Sequence, residues 1–171
     1  MSPTQASTSA PPVQWLDAEE RRTWLSLSRL VTKLPSALDN QLERDADLNY
    51  FEYIVMAVLA ERDDRTLRMS QLAALTNASL SRLSHVAKRL EARGWVQRQP
   101  DPDDGRSTKA VLTDRGLAKV EASAPGHVTA VRELVFDALT PEQLARLHEM
   151  LEILNARVDP GGAAWPRPPA I

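Results

Sequence analysis

The residues whose types and spacing could do chemistry are concentrated between Ser79 and Arg93. At about 100° per residue, Leu80, Val86, Ala87 and Leu90 gather around Leu83 as one apolar stripe. Ser81, His85 and Lys88 fall on the opposite side, Arg82 and Arg89 share one flank, and Ser84 takes the other. No carboxylate interrupts this face before Glu91. Hydroxyls, an imidazole and cations without acids donate hydrogen bonds to acceptors and neutralise anions. Arginine pairs with guanine, serine and histidine bond base edges, and lysine meets phosphate, so the face suits a major groove. An ordinary solvated helix face that happens to lack acids is the competing reading of this helix taken alone.

A face of this kind needs elements to present it. Leu72, Ala73 and Leu75 predict a short helix beginning after Ser70. Thr76-Asn77-Ala78 breaks it, and Asn tolerates a left-handed turn. Ser79 then caps the chemical helix, and Gly94 stops it. Two strand-like runs follow, 95–99 and 107–112, separated by a tip rich in turn residues from Pro100 to Arg106. Short helix, turn, second helix and hairpin make a winged helix-turn-helix from Arg68 to Arg115. The tip offers Arg106 beside Asp101, Asp103 and Asp104, with Lys109 on the returning strand. A calcium loop is excluded there: counted from Asp101, Gly105 is fifth rather than sixth, and Leu112 stands where a glutamate is required.

Charge supports the same segment. Residues 68–115 hold nine Lys/Arg against five Asp/Glu, whereas the rest of the chain holds twelve against eighteen. A basic middle in an acidic frame suits a polyanion on one side of the molecule. Other classes are excluded or left without support. The 171 residues contain no cysteine, so disulfides, thiolate metal sites and thiol switches are out. The three histidines, His85, His127 and His148, are too far apart in sequence to pair on a helix, and neither a metal nor a cofactor is expected. Ser84 and His85 are adjacent and point about 100° apart, the wrong geometry for a nucleophile and its base. With no phosphate loop either, an enzyme is not expected. No run is apolar enough to span a membrane and no secretory signal is apparent, so a cytoplasmic location is expected. His127 is expected to be a surface histidine, with a pH sensor as the other reading.

The flanking segments read as helices. Asp17 and Glu20 form a capping box for a first helix whose stripe runs Trp24, Leu27, Val31, Leu34, Leu38 and Leu42, with Pro35 kinking or interrupting it. Asn49 and Glu52 open a second, from Tyr50 to about Arg62. Thr113 opens a fifth, bent at Pro125-Gly126. Thr140, Pro141 and Gln143 open a last one carrying Leu144, Leu147, Leu151, Leu154 and Val158. Residues 1–14 and 159–171 read as disordered tails.

Three stretches resemble the MarR family of bacterial transcriptional regulators: Leu48 to Met56, Leu80 to Val96, and Asp104-Gly105-Arg106 followed by Val111-Leu112-Thr113 and Gly116. The resemblance covers residues 17–158. It implies a mainly α fold: a winged helix-turn-helix with a small hairpin wing, between N- and C-terminal dimerisation helices. It divides the chain into N-terminal helices at 15–66, a DNA-binding lobe at 67–116 and C-terminal dimerisation helices at 117–158. It implies a homodimer on a pseudo-palindromic operator of double-stranded DNA, with Arg106 in the minor groove. Asp104 would pair with Arg89, making both supports rather than contacts. Ser79, Ser81, Arg82, Ser84, His85, Lys88, Arg106 and Lys109 form the expected contact set. A repressor released by a small aromatic or phenolic effector is implied, with Trp24, Leu27, Tyr50 and Tyr53 in its pocket. The alternative is a regulator without a ligand of its own, acting through a protein partner.

Overall fold

The computed structural model describes residues 12–102 and 104–161, Arg106 without its side chain. Of the two expected tails, residues 1–11 and 162–171 lie outside the described residues, Trp165 among them. The elements are α1 (Ala18–Ala46), α2 (Tyr50–Ala60), β1 (Thr66–Arg68), α3 (Met69–Leu75), α4 (Leu80–Ala92), β2 (Val96–Asp101), β3 (Asp104–Leu112), α5 (Asp114–Val131), a π-helical segment (Arg132–Phe136) and α6 (Pro141–Val158). The chain divides into two compact units, Met1–Leu34 and Pro35–Ile171. The helix itself continues through Pro35, so the expected interruption does not occur, although the boundary between units falls at that residue.

In the first unit, Asp17 and Glu20 exchange the expected capping bonds, 2.8 Å each way. The apolar stripe is not covered there within the chain: Trp24 and Val31 are exposed, as are Trp15 and Leu25. Burial of that stripe begins at Leu38 and Leu42, in the second unit.

The second unit holds the core. Leu42, Leu48, Val55, Met56, Leu59, Leu72, Leu83, Leu90 and Val96 lose nearly all contact with solvent. Local hydrogen bonds set the helix starts. Asn49 Oδ1 accepts from Glu52 N at 2.8 Å, while Glu52 Oε2 accepts from Asn49 N at 3.2 Å. Thr140 and Gln143 do the same for α6. Asn77 takes the left-handed turn between α3 and α4 at φ 48°, and Gly94 ends α4 at φ 72°. α3 begins at Met69, earlier than the pattern predicts. α5 runs unbroken past Pro125-Gly126 into the π-helical segment.

The sheet has three strands in the order β1-β3-β2, all antiparallel. β1 was not expected: three residues are too few to show a period, and their partners Lys109 to Val111 lie far along the chain. The hairpin is also longer than predicted. Pro100 pairs with Thr108 and Asp101 with Asp104, so the strands continue through most of the expected tip. Pro100 lies on the edge strand β2, next to a register irregularity, a position that tolerates its missing N–H. Gly116 locks α5 to the wing, since a Cβ there would stand 2.1 Å from Trp95 O. Thr113 Oγ1 ties the same corner, donating to Gly94 O at 2.8 Å and accepting from Gly116 N at 3.0 Å.

Candidate nucleic-acid interface

α4 is the centre of the site. Ser79 stands just before it and accepts a bond from Arg82 N at 3.2 Å, so this residue of the expected contact set acts as the helix cap. Leu83, Val86, Ala87 and Leu90 are buried, and this stripe fixes the rotation of the helix. Ser81, Arg82, Ser84, His85, Lys88 and Arg89 are left on the exposed side. Leu80 departs from the expected stripe and is 54% exposed. It lies in the first turn, on the margin of the wheel, and offers an apolar surface next to Ser81.

The cations of this face differ in how they are held. The guanidinium carbon of Arg82 sits 4.1 Å from the centre of the Phe51 ring. Arg89 Nε donates to Glu52 Oε1 at 3.0 Å. The expected pairing of Arg89 with Asp104 is therefore corrected: the carboxylate comes from α2, not from the wing. Asp104 instead accepts from Ser107 Oγ at 2.6 Å, beside the tip. Lys88 makes no ion pair with any described residue. Glu91, the first acid on the helix, is taken up by Arg98 of β2 at 2.7 Å, and these hydrogen bonds hold its carboxyl below the usual range.

In the wing, Asp101 orients two cations. Its side chain is fully buried and receives Arg68 Nε at 2.5 Å and Lys109 Nζ at 3.0 Å. Lys109, expected among the contacts, is thus an ion-pair partner with its side chain 26% exposed. Arg106 has its backbone in β3, and its side chain lies outside the described residues.

A second cluster lies between α2 and α5. The His127 ring stands 4.6 Å from that of Tyr53 and 5.9 Å from that of Tyr50. His127 is half-buried, which corrects the expectation of a surface histidine, and its burial lowers the imidazole pKa. Burial raises both tyrosine phenols, and Tyr53 is raised further by Glu61 and by Tyr50. Among the described residues three buried polar atoms have no partner, and two of them, His127 Nδ1 and Gln41 Oε1, lie on α5 and α1 near this cluster, the third being Arg62 Nε. The Gln41 amide lies near Gly126, the neighbour of His127. Of the four expected pocket residues, Tyr50 and Tyr53 come together here. Trp24 and Leu27 belong to the first unit, where Trp24 lines one shallow groove with Trp15 and Arg21, and Leu27 lines another with Arg22 and Leu30.

The contacts of Phe51 with Arg82, of Asp101 with Arg68 and of His127 with Tyr50 and Tyr53 escaped the sequence reading. Glu52 was visible there only as a capping residue. Each of these contacts joins residues far apart in the chain, where periodicity carries no signal.

A two-helix corner with an exposed, donor-rich second helix and a three-stranded wing defines a winged helix-turn-helix. A model of the MarR family matches residues 46–107. The transcriptional repressor IacR of Pseudomonas putida is 30% identical over 146 residues, covering 84% of this chain and 77% of that protein. Sco3205 of Streptomyces coelicolor, a MarR family transcriptional regulator solved in complex with DNA, is 45% identical, with a TM-score of 0.82 over 86% of this chain and 96% of that one. AbsC of the same organism, also a MarR family regulator, is 32% identical, with a TM-score of 0.81 over 86% and 99%. The chain belongs to the MarR family of transcriptional regulators.

Proposed function

We propose that this protein is a homodimeric repressor that binds double-stranded DNA sequence-specifically and is released by a small aromatic ligand. The observation that carries the DNA reading is the exposed face of α4. Ser81, Arg82, Ser84, His85 and Lys88 stand in solvent, and Glu52 and Glu91 are each engaged by an arginine. Such a helix enters a major groove with its N-terminal residues against base edges, and Arg106 on the wing reaches the neighbouring minor groove. The DNA complex of Sco3205 and the repressor function named for IacR support this reading. Selecting bound duplexes from a random-sequence pool tests it. Two half-sites about one helical turn apart, roughly 34 Å, are expected. Recovery of no enriched sequence would refute it.

The dimer reading rests on α6, none of whose residues is buried within the chain although Leu144, Met150, Leu151, Ile153 and Leu154 are apolar. A patch of this kind calls for a partner surface. The effector reading rests on the cluster of Tyr50, Tyr53 and His127, with Gln41 beside the adjoining Gly126. Raised phenols and a lowered imidazole keep its rings uncharged near neutral pH, and two unpartnered buried atoms await hydrogen bonds. A planar aromatic molecule with a donor and an acceptor matches that chemistry. A thermal-shift panel of hydroxylated aromatic acids tests it. A rise in Tm that disappears in Tyr53→Ala supports the site, and no rise with any of them favours control through a protein partner.

A further inference from the structure

The first turn of α2 touches the recognition helix through two consecutive residues. Phe51 lies under the Arg82 guanidinium at 4.1 Å, and Glu52 takes Arg89 Nε at 3.0 Å. Arg82 and Arg89 are seven positions apart, so they stand on the same flank of α4, two turns from each other. Neither contact is incidental to a surface side chain drifting over the protein. Glu52 is nearly buried, with its side chain 8% exposed, and its second oxygen is held by the Asn49 N–H in the capping box. It therefore cannot follow Arg89 outward; the arginine must come to it. Phe51 is half-buried in the same turn and packs against the core. Arg89 keeps 55% of its side chain in solvent, and its two terminal nitrogens make no hydrogen bond to a described residue.

We propose that Phe51 and Glu52 are positioning residues for DNA recognition: they seat Arg82 and Arg89 as a preformed pair of cations along one flank of α4. An unrestrained arginine loses rotamer freedom when it is fixed on DNA. A guanidinium already lying on a ring or anchored through Nε has lost part of that freedom before the DNA arrives. Anchoring through Nε leaves the outer edge of Arg89 for a phosphate. The ring under Arg82 holds it beside Ser81, at the end of the helix that faces base edges. On this account two residues that never touch DNA set both affinity and discrimination.

The inference rests on the recognition-helix reading, and a thermodynamic cycle separates the two. The duplex selected by the full-length chain is titrated with wild type, Phe51→Leu, Arg82→Ala and the double variant. Phe51→Leu is expected to weaken binding about two- to five-fold, the range of an exposed cation–π contact. In the Arg82→Ala background it is expected to add nothing, and Phe51→Tyr, which keeps the ring, restores wild-type affinity. Glu52→Gln preserves an acceptor for Asn49 N–H and removes the charge. It is expected to cost about two- to five-fold with Arg89 present and nothing in Arg89→Ala. Equal losses in both backgrounds would overturn the proposal, because the turn would then act only through the fold. So would unchanged or tighter binding by Phe51→Leu or Glu52→Gln, which would mean that the turn withholds the arginines from DNA. Failure of the wild-type chain to select any duplex would sink the recognition-helix reading together with this inference.

Discussion

α4 and α6 carry the same kind of sequence and meet opposite fates. Both repeat apolar residues every three or four positions and both begin at a hydroxyl cap. α4 buries Leu83, Val86, Ala87 and Leu90 to 4% exposure or less, whereas α6 leaves Leu144, Leu151 and Leu154 at 38% to 45%. Periodicity therefore states that a face has to be covered and says nothing about what covers it. The distinction divides the molecule by role. α4 takes its orientation from its own core and can offer a fixed face to a ligand, while α6 leaves its apolar face uncovered. α5 spans both conditions: Gly116, Val120 and Ser123 are buried in its first part, and Val128 beyond His127 is exposed.

The sharpest way to break this comparison is to remove one leucine from each helix. Leu83→Ala in α4 is expected to lower unfolding free energy by about 2–5 kcal/mol, because the surrounding core closes the cavity only in part. The loss should be the same at every protein concentration in urea titrations. Leu151→Ala in α6 is expected to cost about 1.5–3 kcal/mol per copy, the value of one leucine side chain removed from a covered surface. Here the Tm of each chain should rise with protein concentration, and the variant should need a higher concentration than the wild type to reach the same Tm, because association stabilises the fold by mass action. A Tm independent of protein concentration in both chains would show that a second copy of the chain does not cover α6.

The proposed DNA face gives effects of smaller size. Arg106→Ala is expected to cost about 1–3 kcal/mol of specific affinity with relaxed preference at one position, and unchanged gel-shift affinity would remove the wing from the interface. Lys88→Ala is expected to weaken binding to all sequences alike and to lower the salt slope by about one, and an unaltered slope would mean that Lys88 meets no phosphate.

What could be read from the sequence was what hydrogen bonds between near neighbours determine. The caps at Asn49, Ser79, Thr113 and Thr140, the turn at Asn77 and the stop at Gly94 all act within about four residues, and all stand where their residue types put them. So does the buried stripe of α4 from Leu83 onward. The partners of the cations were not legible. Arg89 reaches Glu52 across 37 positions, and Arg68 reaches Asp101 across 33. Asp104 was assigned to Arg89 by resemblance to other chains, but here Glu52, already held by its own capping bond, lies in reach. β1 was missed for a related reason, since its three residues are strand only because β3 pairs with them. Leu80 shows the limit of the wheel itself, which places residues by angle and not by depth at the end of a helix.

The smallest expected effect tests the point where α5 passes from covered to uncovered. His127 has its imidazole pKa lowered by burial, from an ordinary value of 6.5. As pH falls, the unfolded chain takes up the proton first, so the folded state loses stability from below about 6.5 down to the lowered value. Glu61, raised by burial, contributes the opposite sign further into the acid range. His127→Phe keeps a ring against Tyr50 and Tyr53 and removes the titration. Between roughly pH 7.5 and 5, the Tm of the wild type is expected to fall by more than that of His127→Phe. Matching slopes would show that His127 is as open to water as the apolar residues that follow it, and would move the covered part of α5 back towards Ser123.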